Sequence, residues 1–175
     1  MKIAVTGTSS GFGKYLVSNW DNVYGVSLRL PLEGIVDKIK SADVLINHAY
    51  SKDTKQSQLL YEVFNLWKHY DKTIVNFGSA AIKEVNTFDP LYVSNKKHLI
   101  NLSDSLVASA PYKKVRVVNF NPSTLENNKI FGSGVTKLKF DDLSKILKFI
   151  LDLPKEIEIS DIVIKSTHPF ELTMI

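Results

Sequence analysis

Tyr92 and Lys96 stand four residues apart in YVSNKKHL, a spacing that puts a phenol and an ammonium on one face of a helix. Such a pair suits proton chemistry, because a nearby cation favours the ionised phenol. One element upstream, the apolar run TIVNFGS ends at Ser79. A third suggestive stretch lies near the N-terminus. There TGTSSGFG spends Gly7, Gly11 and Gly13 between an apolar run at 2–5 and a helical pattern at 14–20. Glycine has no Cβ and permits positive φ and close backbone approach. The helix start just beyond offers unpaired N–H groups and a positive dipole end, so this turn can hold phosphate.

These groups need a scaffold that brings them to one side. Apolar periodicity predicts strands at 2–6, 22–27, 43–47, 72–78, 113–120 and 160–165, and helices at 11–20, 32–40, 54–69, 90–109 and 141–151. Asp89 is the expected cap and Pro90 the first-turn residue of the helix that carries Tyr92, and Asp141 is the expected cap of the last helix. Runs such as VLINHA, TIVNFG and VRVVNF suit strands buried on both faces. The alternation predicts an α/β fold of three layers, a doubly wound, Rossmann-like parallel sheet. Right-handed crossovers then place a ligand crevice at the carboxyl ends of the strands, near the switch point, which is where the chemically suggestive residues fall.

A length of 175 residues suits one domain spanning 1–175. Apolar content of 44% and charged content of 23% are ordinary for a globular chain, and no run of about 18 apolar residues exists to span a membrane. The start does not read as a secretory signal, and cytoplasm is the expected compartment. There are no cysteines, so neither disulfides nor thiolate metal sites are expected. The net charge of +4 comes from scattered lysines, with Arg29 and Arg116 the only arginines, a pattern of solvated surface rather than of a nucleic-acid groove. His48, His69, His98 and His168 show no i,i+4 pairing, and no metal site is expected.

Taken together, TGTSSGFG, the NHA at Asn47 to Ala49, Ser79 and the Tyr92/Lys96 pair resemble the ordered motif set of the short-chain dehydrogenases/reductases, in the non-extended branch. The resemblance covers nearly the whole chain. It implies hydride transfer between a nicotinamide and a small carbonyl or alcohol substrate. By that likeness Ser79 orients the substrate oxygen, Tyr92 is the proton donor or acceptor, and Lys96 tunes Tyr92 and binds the nicotinamide ribose. Working near neutrality asks a free tyrosine, with pKa about 10, to shift by about three units, or roughly 4 kcal/mol. An ammonium about 4 Å away supplies about that much at an effective dielectric near 20. The implied cofactor contacts are Gly7, Ser9, Ser10, Gly11, Phe12, Gly13, Arg29, Asn47, Ala49, Tyr92, Lys96, Pro122 and Leu125. Arg29 ends the second strand where a carboxylate would select NAD, and with Ser9 and Ser10 it predicts NADP(H) over NAD(H). The helices at 54–69 and 90–109 correspond to those through which family members pair, so a homodimer or homotetramer is expected.

The sequence also departs from that pattern. Too few residues separate VYGVSLR from DVLINHA for the usual helix, strand and helix, which predicts six strands with one outer strand deleted. His48 and Tyr50 replace family residues, Ser123 replaces a glycine, and Asn127 falls where threonine is usual. No asparagine sits in register for the fourth catalytic position, Asn65 being out of register, and the substrate loop after Pro122 is short. A second reading is therefore a module that binds the nucleotide as a sensor or structural element with little or no catalysis.

Overall fold

The computed structural model describes residues 1–83, 89–127 and 136–166. The elements follow the order β1 (Ile3–Thr6), α1 (Gly11–Asn19), β2 (Val23–Val26), α2 (Leu32–Ile39), β3 (Val44–Asn47) and α3 (Lys55–Trp67). They continue with β4 (Thr73–Phe77), a 3-10 turn at Ala80–Lys83, α4 (Pro90–Ser109), β5 (Arg116–Pro122), α5 (Phe140–Asp152) and β6 (Asp161–Ile164). All six strands are parallel, in the order β2-β1-β3-β4-β5-β6. The chain winds one way from β1 to the edge strand β2, then returns through α2 directly to β3. Among the described residues no strand lies outside β2, as the short connection predicts.

Side chains alternate across each strand, so the sheet feeds two cores. Ala4, Leu45, Ile74 and Val117 face α2, α3 and α4, where Ile35, Leu60, Phe64, Trp67 and Leu99 are buried. Val5, Ile46, Val75 and Val118 face α1 and α5, against Phe12, Leu16, Leu143 and Leu147. Burial on both faces is why β1, β3 and β4 read as unbroken apolar runs.

One strand and one helix cap depart most from expectation. The strand predicted over 113–120 begins at Arg116, because Lys113 N–H closes a turn on the Ala110 carbonyl at 3.0 Å. It runs on to Pro122 because Asn121 and Pro122 pair with Val163 and Ile164 of β6. At the last helix Lys139, not Asp141, is the cap residue. Asp141 and Asp142 lie in the first turn, where their charge favours the positive helix end. Asp89 does cap α4, its carboxylate accepting from Leu91 N–H at 2.9 Å with Pro90 first in the helix. His168 and residues 128–135 of the loop after Pro122 fall outside the described residues. Among the described residues no helix is long and apolar enough to cross a membrane.

Candidate active site

The carboxyl ends of β1, β3, β4 and β5 open onto one cleft of about 1200 Å³. Its floor at one end is the glycine turn. Gly7 has φ +76° and Gly11 φ +59°, backbone states that β-carbon-bearing residues rarely adopt. A Cβ on Gly13 would strike the Gly7 carbonyl oxygen, so glycine there lets α1 start hard against the end of β1. The turn is held from β3: Thr6 Oγ1 accepts from the N–H groups of His48 and Ala49, each at 3.0 Å.

Along the cleft, Ser9, Ser10, Ser27 and Arg29 line the outer end, and Arg29 is exposed. Its loop is pinned by Lys55, the first residue of α3, whose Nζ donates to the carbonyls of Leu28 at 2.8 Å and Leu30 at 3.0 Å. Ala49, Tyr50 and Ser51 line the middle, and Pro122, Ser123, Thr124, Leu125 and Asn127 the far wall. Asn127 lies close over Gly11, where its amide nitrogen would sit 2.8 Å from an added Cβ.

Ser79, Tyr92 and Lys96 meet at the inner end. Ser79 lies two residues past β4, its hydroxyl accepting from Ala81 N–H at 3.2 Å as the 3-10 turn begins. The Tyr92 and Tyr50 rings meet edge to face at 4.9 Å. Lys96 Nζ lies 5.6 Å from the Tyr50 ring centre and 5.8 Å from that of Tyr92. It donates to the Phe77 carbonyl at 2.6 Å and to Gln56 Oε1 at 3.0 Å.

The electrostatics run against the expected lowering of Tyr92. Burial pushes its phenol above the usual value, against the opposite pull of a Ser79 hydrogen bond, with Tyr50 adding to the rise. Burial also lowers Lys96 to about 7. An ammonium that is itself disfavoured, and committed to two acceptors, does not draw the phenol down. His48 is lowered to about 4, chiefly by burial and then by the charge of Lys96, and its Nδ1 has no hydrogen-bond partner.

Twelve of the fourteen positions of the expected site thus line the cleft, and two do not. Gly13 acts behind it, through the packing just described. Asn47 is fully buried, its Nδ2 donating to the Gln56 carbonyl at 2.9 Å and to Asn76 Oδ1 at 3.2 Å. It braces the sheet and offers the cleft no side chain. Phe12 lies along the cleft, yet its ring is buried against Phe77 and Phe140.

No protein-family model matches the chain, and no curated protein does. Solved structures do match in shape. A short chain dehydrogenase from Burkholderia cenocepacia in complex with NADP superimposes with a TM-score of 0.75 at 14% identity, over 95% of this chain and 90% of that one. An alcohol dehydrogenase from the archaeon Thermococcus sibiricus, complexed with 5-hydroxy-NADP, gives 0.74 at 15%, over 98% and 99%. A 3-ketoacyl-(acyl-carrier-protein) reductase from Brucella melitensis complexed with NADH gives 0.70 at 18%, over 95% and 97%. The fold is that of the short-chain dehydrogenases.

Within this short-chain dehydrogenase fold, three polar residues escaped sequence reasoning. Thr6, Lys55 and Gln56 all act through hydrogen bonds to residues far away in the chain. Thr6 could have been found as a polar residue ending an apolar strand beside the glycine turn. Lys55 and Gln56 carry no local signal. Asn65 is exposed on α3, bonded to the Tyr61 carbonyl at 3.0 Å, and takes no part in the site.

Proposed function

We propose that this chain is a short-chain dehydrogenase/reductase that binds a nicotinamide dinucleotide, NADP(H) in preference to NAD(H), and interconverts a small carbonyl compound and its alcohol. The observation that carries this reading is the convergence of Ser79, Tyr92 and Lys96 at one end of a cleft whose other end is the glycine turn and Arg29. The cradle fits such a group. Gly7 and Gly13 bring backbone and helix start together where a Cβ would fill the space, beside the two serines and the arginine suited to phosphate.

In this reading the turn from Gly7 to Phe12 holds the pyrophosphate, Arg29 with Ser9 and Ser10 the 2′-phosphate, and Pro122 and Leu125 the carboxamide end. The nicotinamide, when bound, supplies or takes up hydride. Ser79 donates to the substrate oxygen and orients it. Tyr92 gives its proton to that oxygen as a carbonyl becomes an alcohol, and takes one back in the reverse direction. A phenol raised by burial is protonated at neutral pH, which favours the reducing direction. The chain acts as one domain, pairing into a homodimer or homotetramer through α3 and α4.

A second reading, a nucleotide-binding module with little catalysis, draws on one observation. Lys96 is 3% exposed beneath two tyrosine rings and committed to protein acceptors. Titration of the protein with NADPH and NADH, read by nicotinamide fluorescence, tests the shared binding step. Tight NADPH and weak NADH binding is expected, and binding of neither removes both readings. A screen of small carbonyls under NADPH then separates the two.

A further inference from the structure

Lys96 is the one charged side chain among the buried described residues. Its ammonium stands under the Tyr50 and Tyr92 rings, and its charge is felt at His48. Its two acceptors are the Phe77 carbonyl and Gln56 Oε1. Gln56 is 4% exposed at the start of α3.

The orientation of that amide is determined on every side. Nε2 donates to the carbonyls of Asn47 at 2.7 Å and Phe77 at 3.1 Å, so only Oε1 is left to face the ammonium. Asn47 Nδ2 donates back to the Gln56 carbonyl. The two carbonyls are themselves immobilised. Asn47, Asn76 and Asn119 stand in register on β3, β4 and β5, and their side chains form a buried row that ends on Asp104 of α4. Gln56 is therefore clamped to two strands and presents one oxygen to one cation.

We propose that Gln56 is the positioning residue that sets the place of the Lys96 ammonium beneath Tyr92, through the direct Oε1 to Nζ contact. This inference rests on the catalytic reading of Tyr92 and Lys96 above. A purely structural clamp would need only the two Nε2 bonds. The third contact, to a buried cation, is the one that bears on the reacting group.

Two substitutions separate these roles. Gln56→Leu removes the acceptor, so the ammonium becomes harder to keep, whereas Gln56→Glu replaces a dipole with a charge and makes it easier to keep. In the full chain with NADPH and the best carbonyl found, Gln56→Leu is expected to lower kcat about 10- to 100-fold. The alkaline limb of its pH profile should move to lower pH, and that of Gln56→Glu to higher pH. An activity-independent readout goes with it. The rise in thermal midpoint of the wild type between pH 7 and pH 10 should steepen or keep its size in Gln56→Leu and flatten in Gln56→Glu.

Shifts of opposite sign support the inference. Unmoved limbs and unchanged pH dependence of stability in folded variants would overturn it. So would loss of the fold in both, which would make Gln56 a clamp of the sheet alone. Failure of the underlying reading looks different: Tyr92→Phe would then leave wild-type turnover unchanged, whatever the Gln56 variants do.

Discussion

Thr6 Oγ1 receives the N–H groups of both His48 and Ala49 at 3.0 Å, so the last residue of β1 holds the loop after β3 over the glycine turn. The two strands flank the switch point of the sheet, and this contact ties them together at the cleft.

Thr6→Val keeps the shape of the side chain and deletes the acceptor. His48 N–H retains the Ile46 carbonyl at 3.0 Å, but Ala49 N–H is left without its acceptor. One such group costs about 1–3 kcal/mol. The thermal midpoint should fall by about 5 °C, and NADPH affinity should fall with it, because Ala49 lies against Gly7. A variant as stable and as tight as wild type would remove Thr6 from the site.

The acid side of the stability curve should belong to His48. Its folded pKa is about 4 against an ordinary 6.5, so between these values the unfolded chain binds more protons. Stability is then lost as pH falls from 6.5 to 4, by about 3 kcal/mol in all. Lys96 acts in a separate window. With a folded pKa of about 7 against 10.5, it leaves the unfolded chain more protonated between those values, so stability rises as pH climbs through them. Denaturant melts at closely spaced pH should show both slopes. His48→Asn should abolish the first and spare the second, and Lys96→Met should abolish the second and shrink the first, because the Lys96 charge is part of what lowers His48.

Arg29 should decide the cofactor. It is exposed at the outer end of the cleft, on a loop that Lys55 holds by the carbonyls on either side of it. A charge-assisted hydrogen bond is worth about 1.5–3 kcal/mol. Arg29→Asp should therefore weaken NADPH about 10- to 100-fold while improving NADH, since a carboxylate there accepts from a ribose 2′-hydroxyl. Fluorescence titration of both dinucleotides reads the exchange. Equal loss for both would mean that Arg29 shapes the loop rather than choosing the ligand.

The strands and the cleft wall were legible because their signals are local. Apolar runs mark strands buried on both faces, three glycines mark a tight turn, and Asp89-Pro90 marks a helix start. Side-chain direction was not legible. Asn47 has the composition of a cleft residue, yet the pleat points it into the row with Asn76 and Asn119. Lys96 falls in the right register beside Tyr92, but its acceptors are set by Gln56 and the end of β4, elements whose meeting is tertiary. The limits of β5 likewise follow from its neighbour β6 and from the Ala110–Lys113 turn rather than from its own residues.

Tyr92 should carry the proton. Tyr92→Phe leaves the ring against Tyr50 and removes only the hydroxyl, so the fold and the dinucleotide cradle should be preserved. Turnover should fall about 10²- to 10⁴-fold, the usual worth of a positioned acid or base, with NADPH affinity within about threefold of wild type. The direction of the Tyr92 shift adds a sign. Because burial raises the phenol above its ordinary value, it stays protonated through neutral pH. Tyr92 itself should therefore impose no fall on carbonyl reduction below pH 9, leaving the alkaline limb to Lys96, whereas alcohol oxidation, which needs the phenolate to accept a proton, should climb with pH through the same range. Paired pH profiles in the two directions measure this. Oxidation that levels off near neutrality would show that Lys96 lowers Tyr92 once substrate and dinucleotide are bound, and would replace the burial-dominated phenol with the ammonium-stabilised one.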